Sequence, residues 1–324
     1  MKRRALLCLL LAITLLFTAC GSAAPAESSE PEETKNMFAD SMQKSDPSLD
    51  DEFNLLLVGS SGTYYYVEEL HGLAKAAGIN MRICNVYYSG CQPFQHYNWW
   101  QEGKANYQFF TTDDNGRVKS GEGVDLLYCM KQRNWDAIGM CDGGQAKLRQ
   151  NTPEGAFQER KFYLEELYAL YRKEFPMAKM YWQESSPFEV GYNNAFMVTS
   201  YEGQQQDLEN VFRPLAKMIS EKLDVEWVPR GDAAQLARKN PLVTNITARL
   251  GVDGNNGDYY HDGDIGGGQY LTACAWFEVL TGQSCIGNTY RPVYTYAGQE
   301  YTLSEDMIAI LQQAAHEAVA NRDK

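Results

Sequence analysis

The sequence predicts a three-layer α/β/α sandwich, in which helices cover both faces of a mostly parallel β-sheet. Short apolar runs alternate with stretches of helical periodicity over about 270 residues. The first run, 53–58, ends in a glycine-rich turn and is followed by a helical stretch and a second apolar run, which indicates a βαβ unit. With 44% hydrophobic residues and 27 glycines among 324 residues, the composition excludes disordered, fibrous and collagenous proteins.

Five strands and six helices follow from the local patterns. Apolar runs bounded by turn residues predict strands at 53–58, 79–86, 135–140, 177–182 and 225–228. Apolar residues at helical spacing predict helices at 64–77, 156–175, 207–223, 233–238, 269–280 and 304–321. The aromatic-rich segment 97–110 is predicted to lack long secondary structure. Ligands bind at the carboxyl ends of parallel strands, so we expect a site in the loops after residues 58, 86 and 140 and before residue 269.

The first residues are typical of an export signal. Basic residues at 2–4 precede an apolar run from Ala5 to Phe17, which is shorter than the roughly 20 residues that span a bilayer. Small residues then precede Cys20, which resembles the lipobox of bacterial lipoproteins. This predicts a signal peptide at 1–19, lipidation of Cys20, and a protein anchored to the extracytoplasmic face of the cell membrane. A plain secretory signal is the alternative.

Residues 20–49 are predicted to be a flexible acidic tether, and residues 50–324 the folded domain. The tether is rich in Ala, Ser, Pro and Glu and has no hydrophobic periodicity. The chain has 29 basic and 42 acidic residues, and removal of three basic leader residues leaves 26 against 42, a net charge of −16. Such a charge repels nucleic acid and anionic head groups, so we expect membrane contact through the lipid anchor only and no nucleic acid partner.

The loop after the first strand carries the first candidate group. Ser61 lies between Gly59 and Gly62, directly after a buried strand and before a helix. Negative charge that develops there is stabilised by the unpaired N–H groups of the helix N-terminus. This placement suits a nucleophile, although the same loop could bind phosphate or make a simple turn.

Two further segments extend this pattern. Gly90, after the second strand, can bring its backbone N–H close to a substrate oxygen, or it can be a turn glycine. Asp258 precedes His261 by three residues, so its carboxylate can orient the imidazole as a general base. Among the other three histidines, two fall in predicted helices, and His96 either lies near the site or has a structural hydrogen-bonding role.

The order of four candidate residues along the chain resembles that of the SGNH (GDSL-like) hydrolase superfamily: Ser61, Gly90, Asp258 and His261. The segments 59–61, 89–96 and 270–282 resemble its bacterial lipoprotein branch, which is largely known as a domain of unknown function. This resemblance covers about residues 54–287 and implies a flavodoxin-like, SGNH hydrolase-like sandwich. It implies a serine esterase or other acyl hydrolase that needs no cofactor.

The resemblance also implies a role for each residue. Ser61 would be the nucleophile, His261 the general base and then acid, and Asp258 the group that orients it. The backbone N–H groups of Ser61 and Gly90 would form the oxyanion hole; Gln145 is the candidate for a third donor, and the alternative is that this donor is missing. By analogy and because of the aromatic residues, we expect an acylated carbohydrate or another small ester as substrate, with His96, Trp99 and Trp100 as possible contacts.

Two departures from the family pattern support a rival hypothesis. Ser60 stands where the family has Asp or Asn, and Asp142 stands near the position of a side-chain oxyanion donor. An ionised Asp142 facing an oxyanion would oppose it by charge repulsion. The rival is a non-catalytic carbohydrate- or cell-wall-binding lipoprotein that keeps the fold with a degenerate site.

The sequence was also considered for a metal site and for disulfide bonds. The acidic, glycine-rich stretch 253–268 supplies oxygen ligands, but its spacing does not fit an EF-hand, so no metal is predicted. Once the leader is removed and Cys20 is lipidated, six cysteines remain, and their spacing selects no disulfide pattern. The segment 181–194 is a further candidate wall of the cleft.

Overall fold

A computed structural model of the chain describes residues 52–188, 200–243, 267–296 and 299–324. In these ranges, seven strands form one sheet. They are β1 Phe53–Gly59, β2 Met81–Tyr87, β3 Tyr107–Asp113, β4 Gly116–Val124, β5 Ala137–Met140, β6 Lys179–Gln183 and β7 Glu226–Val228. A separate hairpin pairs β8 Val293–Tyr296 with β9 Gln299–Thr302.

The helices in the described ranges flank this sheet. They are α1 Val67–Ala76, α2 Pro93–Gln101, α3 Leu126–Met130, α4 Gln145–Leu148, α5 Pro153–Glu174, α6 Tyr201–Asp207, α7 Arg213–Leu223, α8 Arg230–Ala237, α9 Gly268–Thr281 and α10 Glu305–Asn321. A short 3₁₀ turn, Ser61–Thr63, follows β1. None of the described helices is both long and apolar enough to cross a membrane.

The sheet has the order β4-β3-β2-β1-β5-β6-β7. The five strands β2, β1, β5, β6 and β7 are parallel to one another, whereas β3 pairs antiparallel with both β2 and β4. When β3 and β4 are left out of the count, the parallel strands have the flavodoxin-like order. In this order β1 lies between the second and third parallel strands of the chain. The strand order reverses at β1, and folds of this kind bind their ligands beside the loops at such a point. The predicted strands and the predicted fold class are confirmed.

Hydrophobic cores lie on both faces of the sheet, which confirms the three layers. Leu55 and Leu57 face the first core, to which α1, α8, α9 and α10 contribute. Leu56 and Val58 face the second core, to which α2, α3, α5 and α7 contribute. Because successive side chains of a strand point to opposite faces, the continuous apolar run of β1 fills both cores.

The prediction that 97–110 lacks long secondary structure is wrong. This segment contains the end of α2 and most of β3, which pairs with β4 through a tight turn at Asp114–Asn115, directly before Gly116. The sequence of β4 contains glycine and lysine, and none of its residues is buried. A pattern of hydrophobic residues therefore does not identify β4 as a strand. Asn-Gly after a run of aromatic and Thr residues is nevertheless a strong hairpin signal, and Gly116 has a φ of 86°.

The helix predicted at 207–223 is interrupted in the structure. Residues Leu208–Phe212 form a wide π-helical turn between α6 and α7. Pro214 lies directly after this turn; it has no backbone N–H, and its ring would clash with a carbonyl of the preceding turn. The wider turn relieves that conflict without ending the helix.

Candidate active site

The two serines of the loop after β1 have different environments. Ser60 is buried, and its Oγ accepts a hydrogen bond from Gly62 N at 3.3 Å, so it caps the 3₁₀ turn. Thr63 Oγ1 donates to Ser60 O at 3.1 Å and closes the same turn. Ser61 opens the turn and is only half-buried. Ser60 therefore holds the loop in shape, while Ser61 is the more accessible hydroxyl.

Buried amides from β2 and β6 hold this loop in place. Asn85 Nδ2, near the end of β2, donates to Thr63 O at 2.5 Å. Gln183 Nε2, at the end of β6, donates to Gly62 O at 2.8 Å. Trp276 Nε1, from α9, in turn donates to Gln183 Oε1 at 2.7 Å. We call the two bonds through Gln183 the Gln183 bridge; it connects the long C-terminal segment 270–282 to the serine loop.

The indole of Trp276 fits because Gly139 has no side chain. A Cβ at Gly139, in the middle of β5, would lie 2.5 Å from Trp276 Cη2 and 2.9 Å from Leu57 Cδ2. The ring thus lies directly on the backbone of β5, fully buried. This close approach fixes where the indole N–H points and hence the geometry of the Gln183 bridge.

The loop after β2 lies against the serine loop. Tyr88 N donates to Gly59 O at 3.2 Å, which joins the two loops directly. Gly90 is exposed and has a φ of 66°, a left-handed conformation that favours glycine. No described atom lies within 4 Å of the position that a Cβ on Gly90 would take, so its surface is open. Ser61 and Gly90 are therefore on adjoining loops at one edge of the sheet.

The loop after β5 completes this edge. Gly143 N donates to Cys91 O at 2.9 Å, and a Cβ on Gly143 would collide with the Cys91 carbonyl oxygen. Cys141 Sγ lies 3.7 Å from Ser60 Oγ. Burial raises the pKa of the Cys141 thiol, so it remains neutral at neutral pH and is a poor nucleophile. The loops after β1, β2 and β5 thus meet where the fold places ligand sites.

Asp142 is buried in an ion pair with Arg160 of α5. Its other oxygen accepts a hydrogen bond from Gly144 N at 2.6 Å. Both carboxylate oxygens are thus engaged, and the guanidinium offsets the charge. The repulsion expected of an Asp142 that faces an oxyanion therefore does not apply in this arrangement.

Gln145 begins α4 on the same loop and is buried. Its Nε2 donates a very short hydrogen bond to Ser186 O, in the segment after β6. This bond ties the amide to the neighbouring loop. A role for Gln145 as a third oxyanion donor stays a prediction.

His96 lies in the interior. Its side chain has no solvent exposure, its ring stacks on Tyr107, and its Nδ1 shares a hydrogen bond with the Tyr107 hydroxyl at 2.8 Å. Burial lowers the pKa of His96 to about 3, so the imidazole is neutral. Its surroundings match the structural role that the sequence left open rather than contact with a substrate.

Trp99 and Trp100 are half-buried on α2. The ring of Trp99 packs edge-to-face on Tyr88 with a centroid distance of 4.7 Å. The ring of Trp100 packs on Tyr97 at 5.9 Å. Both tryptophans thus support other rings, and their contact with a ligand stays a prediction.

Asp258, His261 and Cys20 lie outside the described residues, and their roles stay predictions. Most of the acidic stretch 253–268 and residues 189–194 also lie outside them. The six remaining cysteines are described, and all are buried free thiols. Among the described residues, no group of three or more His, Cys, Asp or Glu side chains has an arrangement that could hold a metal ion.

The residues that position the serine loop were not predicted from the sequence. Asn85 and Gln183 are polar residues at or near the ends of otherwise buried strands. A buried amide in such a place requires hydrogen-bond partners, which is the signal that could have identified them. Arg160 gave no such signal, because an arginine in an amphipathic helix is expected on the surface.

Comparison with known proteins supplies the family. A DUF4886 family protein from Bacteroides uniformis has a TM-score of 0.66 and 23% identity, with 84% of this chain and 96% of that chain covered. An acetyl xylan esterase from Geobacillus stearothermophilus has a TM-score of 0.42 and 15% identity, covering 71% and 94%. Phospholipase A1 from Streptomyces albidoflavus has a TM-score of 0.38 and 13% identity, covering 71% and 98%.

The similarity to the DUF4886 family protein from Bacteroides uniformis shows the fold alone, because the identity is only 23%. No curated protein matches the chain significantly. The family model described as Domain of unknown function (DUF4886) matches residues 54–309. Because this match spans most of the sequence, the chain belongs to the DUF4886 family.

Proposed function

We propose that this protein is an extracytoplasmic serine ester hydrolase, tethered to the membrane through Cys20, that removes acyl groups from an acylated carbohydrate. The observation that supports this most is the placement of Ser61. It is the accessible hydroxyl of a tight turn that is held by buried hydrogen bonds, at the carboxyl edge of the sheet and beside an open left-handed glycine.

The proposed reaction proceeds through an acyl-enzyme. Ser61 Oγ attacks the ester carbonyl carbon while His261 Nε2 accepts the hydroxyl proton, and Asp258 stabilises the imidazolium. The backbone N–H groups of Ser61 and Gly90 donate to the oxyanion of the tetrahedral intermediate. Collapse breaks the bond to the sugar oxygen, which receives the proton from His261. Water then attacks the acyl-enzyme by the same steps and releases the carboxylic acid.

The local charges are compatible with this chemistry. The ion pair with Arg160 offsets the charge of Asp142, so the carboxylate adds little repulsion toward a developing oxyanion. Burial raises the pKa of the Cys141 thiol, so the thiol stays neutral and unreactive. The serine thus has no competing nucleophile in the contacts described for its loop.

The rival function is a non-catalytic carbohydrate- or cell-wall-binding lipoprotein. The hydrogen bond from Gln145 to Ser186 O favours it, because this bond uses one of the two N–H donors of the amide and turns it toward a neighbouring loop. Loss of one oxyanion donor typically lowers the rate by about 10²- to 10³-fold. Such a loss would leave a fold and cleft that bind a ligand without turning it over.

The test compares the two neighbouring serines. We would measure hydrolysis of p-nitrophenyl acetate and acetylated sugars, and covalent labelling by a fluorophosphonate, for the purified chain and for Ser61→Ala and Ser60→Ala. Ser61→Ala should abolish turnover and labelling. Ser60→Ala is the matched control: it loses a cap worth about 1 kcal/mol but keeps the nucleophile, so it should still be labelled. Labelling that survives in Ser61→Ala, or that is missing from the parent chain, would overturn the serine hydrolase.

A further inference from the structure

A groove of about 710 Å³ opens beside the Gly90 loop. Tyr87, Tyr88 and Ser89 line it on the side of β2, and Asn106, Gln108 and Glu122 line it on the side of the β3–β4 hairpin. This volume lies within the range of about 300–1,000 Å³ that is usual for small-molecule sites. The groove is therefore large enough for one or more sugar rings.

Its aromatic wall is both exposed and firmly supported. Tyr88 is 41% exposed, although it is a large aromatic residue next to the core. Its ring packs edge-to-face on Trp99 at 4.7 Å, and Trp99 packs in the same manner on buried Tyr107 at 5.5 Å. A ring held in this way loses little conformational entropy when a ligand stacks on it. The apolar face of a sugar ring is such a ligand.

The β3–β4 hairpin adds exposed polar groups to the groove. Glu122 Oε2 lies 3.1 Å from Lys119 Nζ, and its Oε1 lies 3.5 Å from Gln108 Nε2. Exposed Asn106 adds an amide at the same wall. Carboxylate and amide groups in a shallow groove suit the vicinal hydroxyls of a neutral sugar, which both donate and accept hydrogen bonds.

The residues of the groove contact both ends of the loop that carries the candidate nucleophile. Tyr88 N is hydrogen-bonded to Gly59 O at 3.2 Å, and the ring of Tyr87 lies 4.7 Å from that of Tyr64, which directly follows the 3₁₀ turn of Ser61. A ligand in the groove is thus held beside the serine loop. The negative charge of the protein disfavours a polyanionic ligand, so a neutral saccharide fits better than an acidic one.

We propose that this groove is the saccharide subsite, in which a neutral oligosaccharide stacks on Tyr88 and hydrogen-bonds to Gln108 and Glu122. The role of this subsite rests on the proposed function: the subsite holds the sugar while the acyl group reaches Ser61. The binding itself requires no catalysis, so it can be measured separately.

The experiment measures binding by the Ser61→Ala chain, which cannot turn over a substrate. The probes are triacetylchitotriose, xylotetraose and maltotriose, titrated by calorimetry. For whichever probe binds, Tyr88→Ala should weaken the affinity about 3- to 10-fold, as expected from the loss of one aromatic contact. Tyr88→Phe keeps the ring and should bind nearly as the parent. The matched control is Phe162→Ala, a 52% exposed ring that packs edge-to-face on Tyr97 at 5.1 Å outside the groove, and it should change nothing.

The outcomes separate this inference from the proposed function. Binding that depends on the ring of Tyr88 supports the subsite even if the parent chain shows no esterase activity. Failure of all three probes to bind, or equal affinity in Tyr88→Ala and the parent, would overturn the subsite even if Ser61-dependent ester hydrolysis is found. Equal losses in Tyr88→Ala and Phe162→Ala would also overturn it, because the effect would then not belong to the groove.

Discussion

Trp276→Phe is expected to destabilise the protein and to displace the serine loop, because it removes the outer bond of the Gln183 bridge. Gln183 Oε1 would lose its indole donor while remaining 1% exposed. A buried acceptor left without a partner costs about 1–3 kcal/mol, and the smaller ring leaves a void that adds about 1–2 kcal/mol. We therefore expect a loss of about 2–5 kcal/mol in the free energy of unfolding, measured by urea denaturation.

The effect on the site is isolated by a matched variant at another tryptophan. Trp135 is also buried and donates one hydrogen bond, from Nε1 to Met130 O at 2.8 Å, but it precedes β5 at the end of the sheet away from the site. Trp135→Phe should cost a similar amount of stability. Only Trp276→Phe should slow fluorophosphonate labelling of Ser61, by about tenfold or more, since displacement of a reacting group by about 1 Å can cost 10²-fold in rate.

A double-mutant cycle tests whether the bridge carries this effect. Gln183→Met leaves the Trp276 N–H and Gly62 O without their partner. In the double variant, neither member of the Trp276–Gln183 bond remains, so the combined loss should be smaller than the sum by about 0.5–3 kcal/mol. Strictly additive losses would refute the bridge. Equal slowing of labelling in Trp135→Phe and Trp276→Phe, at equal folded fraction, would show that general destabilisation is the cause.

Three shorter predictions follow. Burial raises the pKa of Glu69 to about 8 from 4.5, so the native state favours the protonated form, and stability should fall as the pH rises from about 4.5 to 8. Glu69→Gln should remove that fall, worth about 3–5 kcal/mol, in urea unfolding at pH 5 and pH 8; an unchanged pH dependence would contradict this. Gly143→Ala should cost about 1–3 kcal/mol and slow Ser61 labelling, because its Cβ collides with Cys91 O; normal labelling would show that the loops can separate harmlessly. Cys20→Ser should abolish incorporation of a labelled fatty acid into the protein, and incorporation that survives the substitution would argue against a lipid anchor at Cys20.

The parallel part of the fold could be predicted from the sequence because its signals are local. The run Leu55–Val58 is buried on both faces of the sheet, and such a strand appears as a continuous apolar run whatever surrounds it. The β3–β4 hairpin could not be found in this way, because β4 is largely exposed and its pairing depends on β3. Attention to the Asn-Gly turn would have identified it.

The positions of Ser61 and Gly90 in the loops after β1 and β2 could be predicted from the sequence. The residues that hold these loops in place could not. Ser61 and Gly90 were placed correctly at the ends of their strands, since the fold class dictates that edge. The partners of Gly62 O and of Asp142 come from β6 and α5, which are distant in sequence. Contacts of this kind depend on tertiary packing, and a single sequence contains no record of which polar residues meet.

The buried ion pair between Asp142 and Arg160 is better explained by the need to neutralise the carboxylate than by a gain in folding stability. A buried pair of opposite charges contributes little net stability, because removing both charges from water offsets their attraction. Asp142 and Arg160 therefore require another reason for being together. Asp142 occupies the loop where an uncompensated carboxylate would oppose negative charge developing near Ser61, and Arg160 reaches it from α5 with the other oxygen already bound to Gly144 N. The pairing lets the acid shape the loop through its backbone hydrogen bond while its charge is cancelled locally. The departure from the family pattern at Asp142 is therefore compatible with the proposed oxyanion hole.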